Sequence, residues 1–511
     1  MQELREIALL LAKSKTLDSS LTEDVRQAAF FDGLLKNQFA NEEEAAQHFL
    51  EVGKDHPNYQ KFRSKFKKSL INSVFLLDLK QQSTTQRQLS YFECYKEWAA
   101  AKILMTKSAK TAAVNLCRKI LKEAKKYEFT DLCLQIASYL RQHYGTVKVD
   151  AQKFKQYNQL YKEYEFIWRL ENDAEELYID LMINYVNTKA TKTALHDKAA
   201  EYYDKLKEDM QACDAYRLHL CGNLIRLLIY TSKSDYVNAV TVCDEAIQFF
   251  ENKGDDAHMP LQVFLYQKVV GYTQLKQYEA GKDAVEKCIA VIEEGSFNWF
   301  KLQEAYILLA LHTKEYQSAY YIFSTAVNQN QFPFLPPTIA ETWKILEAYI
   351  HYLILIEQIM PKTSDKRFSG FRLNRFLNET PIYSKDKRGM NIPILIIQIL
   401  LLIYKKKLNA IADKMEAIEK YCTRYLRQDD AFRSNCIIKM LLQIPAARFH
   451  QVAVGRKVQQ YLEKLRTMPL NVANQAHEIE IIPYEELWGF AIASLGNNFH
   501  QLRTEPTSLT G

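Results

Sequence analysis

Glycine and proline are scarce in this chain, 14 and 12 of 511 residues, about 5% together against roughly 12% in average usage. A fold with many tight turns, or a large parallel sheet, needs more glycine than that. The short signatures of familiar chemistry are missing too. There is no Gly-x-Gly-x-x-Gly and no Gly-x-x-x-x-Gly-Lys-[Ser/Thr], so no nucleotide cradle is legible, and there is no His-Glu-x-x-His. Isolated serines and cysteines lack the elbow context that exposes a nucleophile. The formal charge of +6 is small for this length and makes no whole-chain case for nucleic acid or a membrane surface. The most apolar stretch, Ile392 to Tyr404, includes Pro393 and Gln398 and is short for a membrane span, which takes about 20 residues. Met1 to Glu6 carries early acids and no basic start before an apolar run, so no export signal is read. The expectation is a soluble, cytoplasmic protein with no membrane insertion, no cofactor, no metal and no catalytic activity.

What is abundant favours helix: Leu, Lys, Ala, Glu and Gln. Tyr and Phe are plentiful, 31 and 26 residues, and are expected between helices, where a buried Tyr hydroxyl needs a partner. Nine cysteines are scattered without a Cys-x-x-Cys pair, which reads as small buried thiols in a reducing compartment. Cys213, His219 and Cys221 offer three zinc-type donors without a fourth, and the expectation there is core packing. His477-Glu478-x-Glu480 is read as alternation in a surface segment.

The stretch from Tyr230 to Asn328 organises the chain. One pattern occurs three times: Tyr236-Ala239-Cys243-Ala246, Tyr278-Gly281-Val285-Cys288 and Tyr316-Ala319-Phe323-Ala326, at steps of 42 and 38 residues. Each copy follows an amphipathic segment. In the second, Phe264, Leu265, Lys268, Val269 and Tyr272 mark a first helix by their spacing, and Ala280 to Ile292 a second. The small residues at 239, 281 and 319 are expected where the two helices of a pair cross closest, with each Tyr opening the second helix. One such pair cannot bury its apolar stripe, so neighbours must stack.

This pattern resembles the tetratricopeptide repeat family over roughly a fifth of the chain, in the second-helix positions just named and in Tyr230 and Tyr272. It departs from the family where Asn223, Leu265 or Gln303 stands for the Trp near the repeat start. It departs again at Arg226-Leu227, Lys268-Val269 and Tyr306-Ile307, which replace the mid-helix Leu-Gly. The resemblance implies an all-α solenoid of antiparallel helical hairpins. The fragments Phe371 to Asn378, Ser384 to Gly389 and Phe432 to Cys436 are also similar to helical-repeat proteins of unassigned function in Bacteroidota-type bacteria, which implies no activity.

Around the repeats, residues 1–90 read as an N-terminal helical region, 91–359 as the solenoid, 360–391 as an insert, 392–496 as a C-terminal helical region and 497–511 as a flexible tail. In the first region, Asn41 caps a helix that begins with three glutamates, and a helix from Tyr59 to Leu79 carries Lys61, Arg63, Lys65, Lys67 and Lys68. Residues 81–88 read as a linker. Further helices are expected at Ala151–Glu171, Ala174–Asn187 and Leu408–Tyr421. Arg424, Arg427 and Arg433 are expected to pair internally around Asp429-Asp430. Ile479 to Pro483 reads as a short strand or a plain connector.

The insert is the candidate site. Connections between hairpins usually take a few residues, and a long one is often functional. It interleaves aromatics with cations, and the candidate partner-binding residues are Lys366, Arg367, Phe368, Phe371, Arg372, Arg375, Lys385, Lys387 and Arg388. Arg and Lys pair with carboxylates or phosphates, and Phe enters a partner's pocket or stacks on bases. Alternatively, the connector folds back and buries Phe368, Phe371 and Phe376. The function expected is a non-catalytic scaffold or adaptor binding a protein or peptide through the repeat surface, the insert, or both. The alternative is a nucleic-acid-associated regulator using Lys61 to Lys68 or the insert.

Overall fold

The computed structural model describes residues 1–14, 24–39, 41–77, 85–187, 192–254, 257–363, 365–372, 375–376, 391–411, 415, 432–467 and 480–498. Several expectations lie outside these residues: most of the linker, the helix from Leu408 to Tyr421 beyond Ile411 and Met415, Arg424, Arg427, Asp429-Asp430, His477-Glu478 and the tail beyond Asn498. Within them the fold is all-α, and helices pack chiefly on their neighbours in sequence. The chain forms two compact units, residues 1–165 and 166–511.

The first unit opens with α1 (Gln2–Ser14), α2 (Val25–Leu35), α3 (Glu42–Leu50) and α4 (Pro57–Val74). Leu4, Ala8, Leu11, Phe30, Phe31, Leu34, Phe66 and Leu70 form their shared core. Asn41 caps α3, its side-chain oxygen accepting from the Glu44 N–H at 3.0 Å. α4 ends at Val74, five residues short of the expected Leu79, and Val74, Phe75 and Leu76 are exposed. The unit continues with α5 (Gln86–Thr106), α6 (Lys110–Lys126) and α7 (Thr130–Gln142), packed in succession over Trp98, Cys117, Ile120, Leu132, Cys133 and Ile136.

α8 runs unbroken from Ala151 to Asn187, where two helices with a joint near Asn172-Asp173 were expected. The sequence there has polar residues but neither Gly nor Pro, and the Asn172 side chain donates to the Trp168 carbonyl one turn back at 2.6 Å. That bond satisfies the amide inside the helix and removes its competition with the backbone.

In the second unit, α9 (Lys192–Ala212) leads into three consecutive pairs: α10 (Tyr216–Ser232) with α11 (Tyr236–Asn252), α12 (His258–Leu275) with α13 (Tyr278–Ala290), and α14 (Phe297–His312) with α15 (Tyr316–Val327). Tyr236, Tyr278 and Tyr316 are each the first residue of a second helix. The three joints are built alike. Ser234, Lys276 and Lys314 take left-handed φ values of 58°, 55° and 67°. The next N–H reaches back five residues, Asp235 to Tyr230, Gln277 to Tyr272 and Glu315 to Ala310, at 3.0, 3.0 and 2.8 Å. These are Schellman caps, usually made with glycine at the left-handed residue; their construction with Ser and Lys lets the chain turn so often with so little glycine.

Ala239 and Ala319 are buried, and Gly281 stands at a close crossing, but its partner is not the one expected. A Cβ on Gly281 would lie 2.5 Å from Leu309 Cδ2 on α14, the first helix of the next pair, rather than against α12. The close approach of α12 to α11 is made at Gly271, where a Cβ would lie 2.7 Å from Val240 Cγ2. α12 also packs on α14, so the first helices of the second and third pairs stack.

The chain then forms α16 (Pro337–Leu355), the one-turn α17 (Lys366–Ser369), α18 (Asn391–Tyr404), α19 (Phe432–Ala446), α20 (Gln451–Thr467) and α21 (Tyr484–Ala493). From Ile392 to Ile403 every side chain of α18 is buried. Its unbroken apolar run thus belongs to the inside of the unit, and among the described residues no helix is long and apolar enough to cross a membrane. No strand forms at 480–483; the backbone there is a connector, and Ile481 and Ile482 are buried.

Candidate functional site

A cleft of about 1020 Å³ opens beside the first half of the insert. Three elements line it: the C-terminal turns of α16 (His351, Ile354, Leu355), residues 361–375, and the end of α18 (Leu401, Lys405, Lys407). The start of the insert is fixed by α15. Gln317 exchanges two hydrogen bonds with the Met360 backbone, at 3.0 and 3.1 Å. The Tyr320 hydroxyl accepts from the Lys362 N–H at 3.0 Å and donates to Asp365 at 2.9 Å. Asp365 in turn caps α17 by accepting from the Arg367 N–H at 3.1 Å.

The aromatics of the insert turn inward. Phe368 and Phe376 are buried, and Phe368 packs on Tyr320 and Phe323 with ring centroids 5.7 and 5.9 Å apart. Phe371 is half-buried and stacks on His351, centroids 4.1 Å apart and planes at 24°. The fold-back alternative therefore describes these three rings, while the cations remain outside. Lys366, Arg372 and Arg375 are exposed, as are Lys405 and Lys407. Arg367 faces Glu347 at 3.6 Å. Lys385, Lys387 and Arg388 lie outside the described residues.

The cleft thus joins an apolar wall (Ile354, Leu355, Leu401, Phe368, Phe371) to a rim of five cations: Lys362, Arg372, Arg375, Lys405 and Lys407. Its one carboxylate among the described residues, Asp365, already holds Tyr320 and the start of α17. Among the described residues Lys362, Arg372 and Lys405 form no ion pair. The carbonyl end of α18 favours cations beside it, but a helix end carries roughly half a charge and does not neutralise these three. His351 is pushed down to about 4, first by burial and then by Lys405, so its ring is neutral near pH 7. The arrangement offers donors and an apolar surface for an anion with an apolar part, and no paired acid and base for proton transfer. Lys405 and Lys407 were missed from sequence, although a triple-lysine run closing an apolar helix was the visible signal.

The basic residues of α4 stand differently. Lys65 pairs with Asp24 at 2.9 Å, Lys67 with Glu3 at 2.6 Å and Arg63 with Glu42 at 2.9 Å. Lys65 and the Gln27 side chain hold Asp24 well below the usual carboxylate range, the Gln27 bond contributing most. These cations tie α4 to the elements before it.

A second polar cluster is buried. Arg433 donates two bonds to Glu480, at 3.0 and 2.8 Å, one to Glu485 at 2.8 Å and one to the Leu465 carbonyl at 2.7 Å. The Glu480 carboxylate also accepts from the Tyr484 N–H at 2.6 Å, and its backbone carbonyl meets His312 Nε2 at 2.5 Å. One expectation for this region is corrected: Glu480 is buried instead of lying on the surface, while Arg433 pairs internally with Glu480 and Glu485, and Asp429-Asp430 lie outside the described residues. The reason is the flanking sequence: Ile481 and Ile482 enter the core and carry Glu480 with them, and a carboxylate taken there needs a fully bonded cation.

Of the eight described cysteines, all but Cys213 are buried. Burial pushes the thiols of Cys117, Cys221, Cys243 and Cys288 up to about 12, which makes them inert at neutral pH. His219 Nε2 donates to the Cys213 carbonyl, 3.1 Å away, and the ring stacks on Phe249 at 3.9 Å. No cluster of metal-ligating side chains occurs among the described residues.

No protein-family model, no curated protein and no solved structure matches this chain. Neither the tetratricopeptide resemblance nor the bacterial one therefore has a relative behind it, and the functional argument rests on the cleft and the helix stack.

Proposed function

We propose that this protein is a non-catalytic cytoplasmic adaptor, a tetratricopeptide-like stack of helical hairpins that docks another protein in the basic cleft beside residues 361–375. The observation that carries the reading is the unbalanced rim: Lys362, Arg372 and Lys405 project around an apolar wall with no carboxylate paired to them among the described residues. Uncompensated cations around a concavity favour an acidic partner and speed its approach. Inert, buried thiols agree with a reducing compartment. The direct test is affinity capture from extracts of the native cell with wild type and with the Arg372→Glu/Lys405→Glu protein, matched by circular dichroism. The reading expects at least one protein retained by wild type and lost from the variant; identical protein profiles overturn it.

A further inference from the structure

We infer that the cleft recognises an acidic peptide segment carrying an aliphatic or aromatic anchor, a conclusion that rests on the docking reading above and adds the chemistry of its ligand. Two zones with different demands share one cavity of about 1020 Å³, a volume within reach of several side chains but not of a folded domain. The wall of Ile354, Leu355, Leu401, Phe368 and Phe371 suits an apolar side chain. The rim cations Lys362, Arg372 and Lys405 suit carboxylates beside that anchor, the Arg372 guanidinium offering the planar fork that takes a carboxylate in a pair of bonds.

The rings decide between a peptide and a nucleic acid. Single strands are held by exposed aromatic platforms along a basic track. Here Phe368 is buried against Tyr320 and Phe323, and one face of Phe371 is taken by His351, so among the described residues of the insert no free-standing ring platform is presented for a base. The cations gather around a bounded hollow instead of following a groove.

The test is fluorescence anisotropy of the full-length protein with a short labelled peptide of alternating glutamate and leucine. Three companions complete the set: one peptide with the leucines replaced by serine, one with the glutamates replaced by glutamine, and a short labelled oligothymidylate. The inference expects the glutamate–leucine peptide to bind best, with affinity falling as salt rises and each replacement costing about tenfold. The Arg372→Glu/Lys405→Glu protein should lose binding at unchanged circular dichroism. Tighter binding of the oligothymidylate, or equal binding of the serine peptide, overturns the ligand assignment. If no peptide binds while cell extracts still yield a protein that depends on Arg372 and Lys405, the assignment falls and the docking reading stands.

Discussion

Two buried carboxylates show how differently one residue type is handled. Glu480 is matched by the Arg433 fork and a backbone N–H. Burial works against the charge on Arg433, but the bonds to Glu480 and Glu485 outweigh it and raise its pKa. Removing one partner from such a pair leaves the other uncompensated. Arg433→Leu should therefore cost about 3–5 kcal/mol, read as a lowered urea midpoint; a cost near zero would mean that the pair holds nothing together. Glu304 on α14 pairs with Lys301 at 2.7 Å, and one of its oxygens is buried with no hydrogen bond among the described residues. Burial raises it above its ordinary 4.5, partly opposed by Lys301. A carboxyl with a raised folded-state pKa contributes stability that is full below 4.5 and is lost as pH rises through the folded value. Glu304→Gln should match wild type near pH 4 and become the more stable protein by pH 7. Parallel stability curves across that range would contradict the burial argument.

At the scale of elements, the joints make the repeat. A left-handed Ser or Lys strains the backbone, yet it occurs at the same place before Tyr236, Tyr278 and Tyr316. Lys276 is exposed and its side chain is dispensable there, so Lys276→Gly should stabilise by about 0.5–1 kcal/mol, the relief at the left-handed position less the entropy of glycine. Thermal or urea unfolding measures it, and a loss of stability would show that the Schellman geometry is not what sets this joint. Helix existence was legible in the sequence because tyrosines and small residues recur at fixed offsets from each joint. The ends were less so: with no glycine at the caps, Ser234, Lys276 and Lys314 give no stop signal. The unbroken α8 was illegible for the opposite reason, since Asn172 looks like a break but satisfies itself within the helix. The site was half legible. Phe371, Arg372 and Arg375 stood out in the insert, but Lys405, Lys407 and His351 reach the cleft from distant helices, and no spacing in the sequence announces that meeting.

For the whole molecule, the helices pack on sequence neighbours within each unit, and such a stack exposes surface more readily than it encloses a reaction chamber. In the adaptor reading we propose, the basic hollow by residues 361–375 is where that surface becomes specific. Of the α4 cations, which in sequence rivalled it, Lys67, Lys65 and Arg63 are tied to Glu3, Asp24 and Glu42, while Lys61 and Lys68 are exposed. The most direct measurement places a photo-crosslinking side chain at position 362 on the rim, and as a control at position 287 on α13, where Lys287 is exposed and paired with Asp283. Each protein is irradiated in extracts of the native cell. The account predicts a discrete protein adduct from position 362 that is competed by an acidic peptide and absent from position 287. Adducts that are the same at both positions, or that contain only nucleic acid at position 362, would contradict it.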